Sequence, residues 1–370
     1  MSAWPLLPHN APSGMQIAFE EPRLDPARWA KRLGISREAA ELYLASDVID
    51  LHLDSFIWTR LLGYDLTEAH RLGPLGGRYY RQVDLPRILA AAISGGMWSI
   101  TTNPLRSATG RAHALSENVR RIRQLFEGVS EQFSVVTTSA EYQAARAGGR
   151  HGAFLAVQGG HALEADLGAL REGGIVRVTL VHLTDSAFGS TSSPLRAGRD
   201  RGIGDRGRAF IEALNAQRVF VDLAHIGRKG FFEAAAIHDR SQPLIVTHTG
   251  VSGVHACWRN IDDEQLALVA DTGGVIGVMF HGGFLSGHYW SGGPLEAVVD
   301  HLAHIVAVAG EDAAAIGSDW DGAIIPPRPL RSCEGLPLLV QAMLDRGLSH
   351  RVIQKILGAN FLRALGQLRP

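Results

Sequence analysis

The sequence predicts an α/β fold, a (β/α)8 TIM barrel preceded by a short N-terminal helical extension, and three observations carry this prediction. Short apolar runs recur eight times along the chain, and the segments between them have the amphipathic spacing of helices. The runs are continuously apolar, as expected of parallel strands that are buried on both faces. With 370 residues, 46% of them hydrophobic, the chain is long enough to form a sizeable core. A doubly wound sheet is the alternative, because alternation alone does not prove that a sheet closes.

Residues 1–46 are predicted to form an N-terminal extension, and residues 47–370 the barrel. Pro5, Pro8 and Pro12 indicate an irregular start. Ser36 is placed to cap a short helix that continues to about Ala45. We expect this extension to pack across the barrel rather than to contribute chemistry.

The predicted barrel strands are eight runs rich in β-branched and other apolar residues. They are Val48–Leu51, Met97–Thr101, Ala153–Val157, Val176–Val181, Val219–Ala224, Leu244–Thr247, Val275–Phe280 and Ala314–Gly317. The clearest intervening helix is Leu295–Ala309, with Pro294 at its start and Gly310 at its end. Long connections rich in Gly, Arg and Ser follow several runs, and in a barrel they would lie at the C-terminal rim, where active sites are found.

Composition excludes several classes of function. The formal net charge is -1, so neither a basic nucleic-acid surface nor an acidic tail is indicated. No stretch reaches the roughly 18 apolar residues that a membrane span needs, and Met1–Gly14 lacks a signal-peptide pattern. The two cysteines, Cys257 and Cys333, cannot build a disulfide framework. These features predict a soluble, cytoplasmic protein without a nucleic-acid or membrane partner.

Polar residues gather where the apolar runs end. His52 and Asp54 are two residues apart after the first run, so on an extended chain their side chains project to the same face. The further residues that end or follow a run are Gln158, His182, His225, His248 and Asp319. Because the C-terminal ends of barrel strands meet at one rim, we expect these side chains to converge at the mouth of the barrel.

Imidazole and carboxylate groups in this pattern are typical ligands of zinc and similar divalent metals. Taken singly, the His52–Asp54 pair could instead be a cap or a solvated pair, and each lone histidine a structural residue. Together, His225 and His248 on successive strands beside this pair favour a metal site. Asp319 is the candidate general base, with a helix cap or turn residue as its structural alternative.

The ordered motifs of the chain resemble the membrane (renal-type) dipeptidases, peptidase family M19 of the amidohydrolase superfamily. They are Asp50-Leu51-His52-Leu53-Asp54, Gln82-Val83-Asp84-Leu85-Pro86-Arg87, Gly159-Gly160-His161, Val221-Asp222-Leu223-Ala224-His225, Arg259-Asn260-Ile261, Ser318-Asp319-Trp320-Asp321-Gly322 and Asn360-Phe361-Leu362-Arg363. The resemblance runs from about Val48 to Leu365 and implies a barrel of the metal-dependent hydrolase type.

The resemblance also implies roles for individual residues. His52 and Asp54 would bind one zinc ion, and His225 and His248 a second. His182 would contact the substrate or the tetrahedral intermediate, and Asp319 would move the proton. Arg259 would hold the substrate carboxylate, to which a guanidinium group is well matched in shape.

Gln158 is the departure from the family pattern, in which a glutamate at this position bridges both metals. An amide brings no charge and only one good acceptor oxygen. Two dications that lie close together repel strongly, so removal of a bridging anion weakens their binding. The sequence therefore predicts one or two zinc ions with weakened binding, with a metal-free centre as the alternative, and leaves open which half of the centre is retained.

Two functions follow from this sequence. The first is a zinc-dependent dipeptidase-like hydrolase, in which a metal-activated water cleaves the amide bond of a small dipeptide-like substrate. The alternative is a catalytically impaired or repurposed relative that binds a carboxylate ligand without dipeptidase turnover. The family resemblance also makes a homodimer plausible.

Overall fold

Nine parallel strands form the centre of the protein in the computed structural model, which describes residues 15–19, 25–172, 174–195 and 198–370. The strands are β1 (Ile49–Leu53), β2 (Gly95–Thr101), β3 (Phe133–Val135), β4 (His151–Gln158), β5 (Ile175–Thr179), β6 (Phe220–Asp222), β7 (Ile245–Thr249), β8 (Val275–Val278) and β9 (Ala314–Ile316). Eight follow one another in the order β1-β2-β4-β5-β6-β7-β8-β9, and β3 pairs with β4 outside this path.

The sheet closes on itself between its first and last strands. Leu53 and Trp320 form a parallel bridge just beyond the end of β9. The Asp54 amide donates to the Trp320 carbonyl at 3.0 Å, and the Asp319 amide donates to the His52 carbonyl at 3.2 Å. These bonds make the eight-stranded path a barrel, so the doubly wound alternative is excluded.

Helices surround the barrel on its outer face. The α-helices of the described residues are α1 (Pro26–Leu33), α2 (Arg37–Leu44), α3 (Phe56–Leu62), α4 (Leu85–Ala90), α5 (Ala108–Gly128), α6 (Ser139–Ala147), α7 (Gly168–Glu172), α8 (Gly204–Ala216), α9 (Arg228–Ile237), α10 (Asp263–Ala270), α11 (Gly282–Ser286), α12 (Glu296–Ala309), α13 (Leu336–Asp345), α14 (His350–Gln354) and α15 (Asn360–Leu368). Short 3-10 helices and one π-helical turn complete the set: Gly160–Leu163, Arg328–Leu330, Cys333–Gly335 and Lys355–Ala359. Within the described part of the chain, no helix combines the length and apolar character that crossing a membrane requires.

All eight predicted runs are barrel strands, and every residue of these strands is buried. Two elements fall outside the predicted pattern, which consists of eight runs, the helices between them and the helix capped by Ser36. One is β3, which has three residues and only one neighbouring strand. The other is α1, which Asp25 caps by accepting a bond from the Ala27 amide at 2.9 Å, with Pro26 at its first position and Gly34 at its end.

The predicted cap of the next helix is confirmed, since Ser36 Oγ accepts a bond from the Ala39 amide at 3.0 Å at the start of α2. The predicted irregular start at Pro5, Pro8 and Pro12 lies outside the described residues.

Asn360 ties the C-terminal helix to the barrel. Its buried amide donates to the carbonyl oxygens of Glu311 and Ala314, both at 2.8 Å. Asn360→Ala leaves two carbonyl groups without these donors, so we expect the free energy of unfolding to fall by about 1–3 kcal/mol. Urea denaturation measures this change. Asn103→Ala, at an exposed position, is the control, and equal midpoints for the two variants would contradict the assignment.

Candidate metal centre and active site

The mouth of the barrel brings together the polar residues that end the strands. His52 and His248 have ring centroids 3.7 Å apart, and those of His248 and His225 are 4.8 Å apart. The His182 ring lies 4.8 Å from that of His225. The three histidines at the ends of β1, β6 and β7 are buried, so they share one centre screened from bulk water.

His225 and His248 form the half of the centre at β6 and β7. Their Nε2 atoms face each other at 2.8 Å. The Thr247 hydroxyl donates to Asp222 Oδ2 at 2.7 Å, so it is free to accept a hydrogen bond from His248 Nδ1 at 2.9 Å. This pairing places the proton of His248 on Nδ1 and leaves the lone pair of its Nε2 directed into the centre, which is the arrangement of metal-binding histidines.

His52 and Asp54 form the other half, at the end of β1. His52 Nε2 lies 3.5 Å from Asp54 Oδ1 and 3.8 Å from Asp319 Oδ1. One ligand atom from each of His52, His248 and Asp319 lies within 4.8 Å of the other two. Asp319 thus stands between the two halves, at a backbone φ of 61° that aims its side chain across the mouth of the barrel.

Gln158, the last residue of β4, occupies the space between these halves. One terminal atom of its amide lies 2.6 Å from His52 Nε2 and 3.1 Å from Asp54 Oδ1. The other lies 2.9 Å from His182 Nε2 and 3.4 Å from His225 Nε2. The side chain therefore takes the bridging place that the sequence resemblance implies, but as a neutral group.

A buried guanidinium group lies beneath His52. Arg177, in the middle of β5, donates to His52 Nδ1 at 2.9 Å and to Ser99 Oγ at 2.8 Å, and its Nη1 lies 3.4 Å from Asp222 Oδ2. Sequence analysis missed this residue. The sequence shows Arg177 as the single charged residue of the run Val176–Val181, but it does not show that the partner of this residue is His52.

Burial sets the protonation of the centre. It lowers the pKa of His182 to about 3 and holds the pKa values of His225 and His248 well below their ordinary range. These imidazoles are neutral at physiological pH, as metal ligands must be. Burial, with the nearby Asp54 carboxylate, raises the pKa of Asp319 well above its ordinary value, while Arg259 opposes the shift.

Arg259 lies at the edge of the centre. Its Nη2 donates to the carbonyl oxygen of His248 at 2.5 Å. A cavity of about 170 Å³ opens beside it, lined also by His225, Trp258 and Ser192. Burial lowers the pKa of the guanidinium group to about 10, and Asp319 opposes the shift. The group remains a cation at the wall of a small cavity next to the histidines.

The donor set fits a metal ion at His225 and His248. Both nitrogen atoms converge, the second nitrogen of His248 is bonded to Thr247, and Nδ1 of His225 is buried without a partner. The half at β1 fits less well, because Arg177 donates to the imidazole that would bind the ion. Asp321, two residues after Asp319, has a structural contact instead, since its Oδ1 accepts a bond from the backbone amide of Gln82 at 2.8 Å.

The sequence profile of the membrane dipeptidase family (peptidase family M19) matches residues 36–369, nearly the whole chain. The chain belongs to this family. An uncharacterised Klebsiella pneumoniae protein encoded in the pqqA 5′ region is 35% identical over 166 residues, which are 44% of this chain and 60% of that protein. The match therefore spans less than two thirds of that relative.

Solved structures show the same fold as this M19 protein. A dipeptidase of family M19 has 26% sequence identity and a TM-score of 0.77, over 87% of this chain and 98% of that one. The probable dipeptidase PvdM from Pseudomonas aeruginosa has 18% identity and a TM-score of 0.78, over 93% and 99%. A Rhodobacter sphaeroides metallopeptidase, solved with a phosphinate mimic of the dipeptide L-Ala-D-Ala, has 24% identity and a TM-score of 0.74, over 87% and 99%.

Proposed function

We propose that this M19 protein is a metal-dependent hydrolase that cleaves the amide bond of dipeptide-like substrates. The observation that carries the proposal is the facing pair of His225 and His248, whose Nε2 atoms are 2.8 Å apart, beside the carboxylate of Asp319. Two neutral imidazoles and an adjacent acid are the parts that a hydrolytic metal site requires.

His225 and His248 hold the metal in this proposal. Zinc suits their nitrogen atoms, and manganese and cobalt also accept such ligands. When bound, the ion supplies Lewis acidity toward a carbonyl oxygen and lowers the pKa of water. The hydroxyl of Thr247 keeps His248 in the tautomer that binds, through the bonds already described.

The remaining roles belong to side chains around the pair. Asp319 takes a proton from the attacking water and returns it to the leaving amine. His182, at the edge of the centre, contacts the substrate carbonyl as its tetrahedral form develops. Arg259 holds the substrate carboxylate at the wall of the cavity, where a guanidinium fork matches two oxygens. The dipeptide mimic in the Rhodobacter sphaeroides structure supports this choice of substrate class.

The second candidate function is a barrel that binds a carboxylate ligand without turnover. Gln158 favours it, because an amide replaces the charge that would bridge two metals. If this candidate is correct, Arg259 and the cavity bind the carboxylate ligand, and Asp319 transfers no proton. The two candidates differ in one measurable property, which is hydrolysis.

We also propose that residues 1–46 form an N-terminal extension and residues 47–370 the catalytic barrel. We further propose that the protein acts in the cytoplasm and that two copies form a homodimer.

Purified protein freed of metal by a chelator is expected to hydrolyse dipeptides only after zinc, manganese or cobalt is added back. L-Ala-D-Ala and L-Ala-L-Ala are the probes, and released alanine is the readout. The matched control substrates are the same dipeptides with a C-terminal amide, which lack the carboxylate for Arg259. We expect their kcat/KM to be lower by roughly 10-fold or more, since a charged hydrogen bond is lost. No turnover with any of the three metals would favour the carboxylate-binding candidate.

A further inference from the structure

Arg177 is a fully buried cation in the interior of the barrel, directly below the candidate metal centre. All five of its N–H groups have partners. Nε donates to Met97 Sδ and Nη1 to the Val157 carbonyl, both at 3.2 Å, and Nη1 also donates to Thr179 Oγ1 at 2.6 Å. A buried charge is costly unless it is paired and fully bonded, so this side chain is held in one orientation.

The two N–H groups of Nη2 complete the set, and one of them donates to His52 Nδ1. A guanidinium group has donors and no acceptor. His52 Nδ1 must therefore be unprotonated, and the proton of the neutral ring is on Nε2, the atom that faces Asp54 and Gln158. A nitrogen that carries a proton has no lone pair for a metal.

His248 has the opposite arrangement. Its Nδ1 is bonded to a threonine hydroxyl that already donates to Asp222, so its Nε2 lone pair is free. The two halves of the centre thus differ in tautomer. His248 Nδ1 donates to a hydroxyl oxygen, whereas His52 Nδ1 accepts from a guanidinium group. The half at β6 and β7 is prepared for a metal, and the half at β1 is not.

Gln158 adds a second reason against a metal at β1. Its amide oxygen accepts a bond from His182 Nε2 at 2.9 Å, so its NH2 group faces Asp54 Oδ1 at 3.1 Å and occupies the space beside that carboxylate where a cation would lie. The neutral amide also adds no anion beside Asp54 to attract a dication. Gln158 brings no negative charge to the centre, and Arg177 places a positive charge below it, so both residues oppose a second metal ion.

We infer that Arg177 and Gln158 together replace the second cation of the centre, so that the protein takes a single metal ion at His225 and His248 and none at His52 and Asp54. This inference rests on the proposed function, and it assigns Arg177 as a positioning residue that acts through His52. Restoring the carboxylate by Gln158→Glu is then insufficient to create a second site, because His52 remains blocked.

The experiment counts metal ions per chain by mass spectrometry after equilibration with excess zinc and removal of free ion. We expect a single ion in the parent, a single ion in Gln158→Glu, and two in the Gln158→Glu/Arg177→Met double variant. Methionine keeps much of the volume of Arg177 without its donors. Two ions in the parent or in Gln158→Glu alone would overturn the inference, as would a double variant that folds and still holds one.

If the double variant fails to fold, a second pair of variants tests which half of the centre holds the metal ion. His52→Gln is expected to keep the ion of the parent, whereas His225→Gln loses it, and loss of the ion from His52→Gln would overturn the inference. Nitrogen-15 NMR of the histidines in the metal-free protein provides an independent readout, with His52 unprotonated at Nδ1 and His248 protonated there. A protonated His52 Nδ1 would equally overturn it. Failure of the proposed function is distinguishable, because the single ion would then be present without dipeptide hydrolysis.

Discussion

Asp319→Asn is expected to reduce dipeptide hydrolysis by roughly 10²–10⁴-fold, the usual contribution of a general base, while the bound metal remains. Asparagine has nearly the same shape as aspartate but cannot accept and return a proton. Asp319 is the acid that reaches both halves of the centre, since it clusters with His52 and His248 within 4.8 Å. Its backbone amide is also bonded to the His52 carbonyl at 3.2 Å, so the substitution leaves the main chain in place.

Two measurements separate this chemical role from a structural one. The first is kcat with saturating dipeptide, and the second is the metal content of the same sample. Asp271→Asn is the matched control, because Asp271 is exposed and pairs loosely with Arg240 at 3.8 Å on the outside of the barrel. Turnover of Asp319→Asn close to that of the control would remove Asp319 from the reaction.

The barrel strands were predictable because parallel strands in a barrel are buried on both faces and so leave continuous apolar runs in the sequence. Strand β3 left no such signal, since it has three residues and pairs only with β4. Helix α1 did leave one: Asp25-Pro26 before it and Gly34 after it are the usual signals of a helix start and end. The sequence therefore contains enough information to place this helix.

The positions of the site residues were predictable for a similar reason, because strand ends in a barrel meet at one rim. The contacts made by the residues below the site were not predictable. Arg177 and Asp222 sit within apolar runs, and their partners come from other strands, so only the folded structure shows that they control His52 and Thr247. A tautomer depends on such contacts in space, which no spacing along the chain encodes.

Two of the ordered motifs prove to be structural. Asp84 accepts a bond from the Arg87 amide at 2.9 Å at the start of α4, and its carboxylate pairs with the Arg87 side chain at 2.7 Å. The side-chain amide of Asn360 donates hydrogen bonds to the carbonyl oxygens of Glu311 and Ala314. A motif match therefore identifies residues with a structural or a functional role. The contacts in the folded structure are needed to distinguish residues that stabilise the barrel from residues that face its mouth.

His225→Ala is expected to lower zinc affinity by more than roughly 100-fold and to bring dipeptide hydrolysis to background. Substitution of a residue that merely supports a metal ligand already costs about 10–100-fold in affinity, and His225 would be a direct ligand. Its Nε2 lies 2.8 Å from that of His248, so the substitution leaves this pair with a single imidazole nitrogen. Calorimetric titration of metal-free protein with zinc measures the loss.

Graded variants make this test specific to metal binding. Thr247→Val removes the hydroxyl that accepts from His248 Nδ1, so its zinc affinity should fall by about 10–100-fold, less than in His225→Ala. His182→Ala should retain zinc and lose turnover, because the His182 side chain contacts Gln158 and the edge of the His225 ring rather than the facing Nε2 atoms of His225 and His248. His113→Ala, on the exposed face of α5, should change neither property. If His225→Ala bound zinc as tightly as His113→Ala, the pair on β6 and β7 would not be the metal site, and the ion would have to lie elsewhere at the mouth of the barrel.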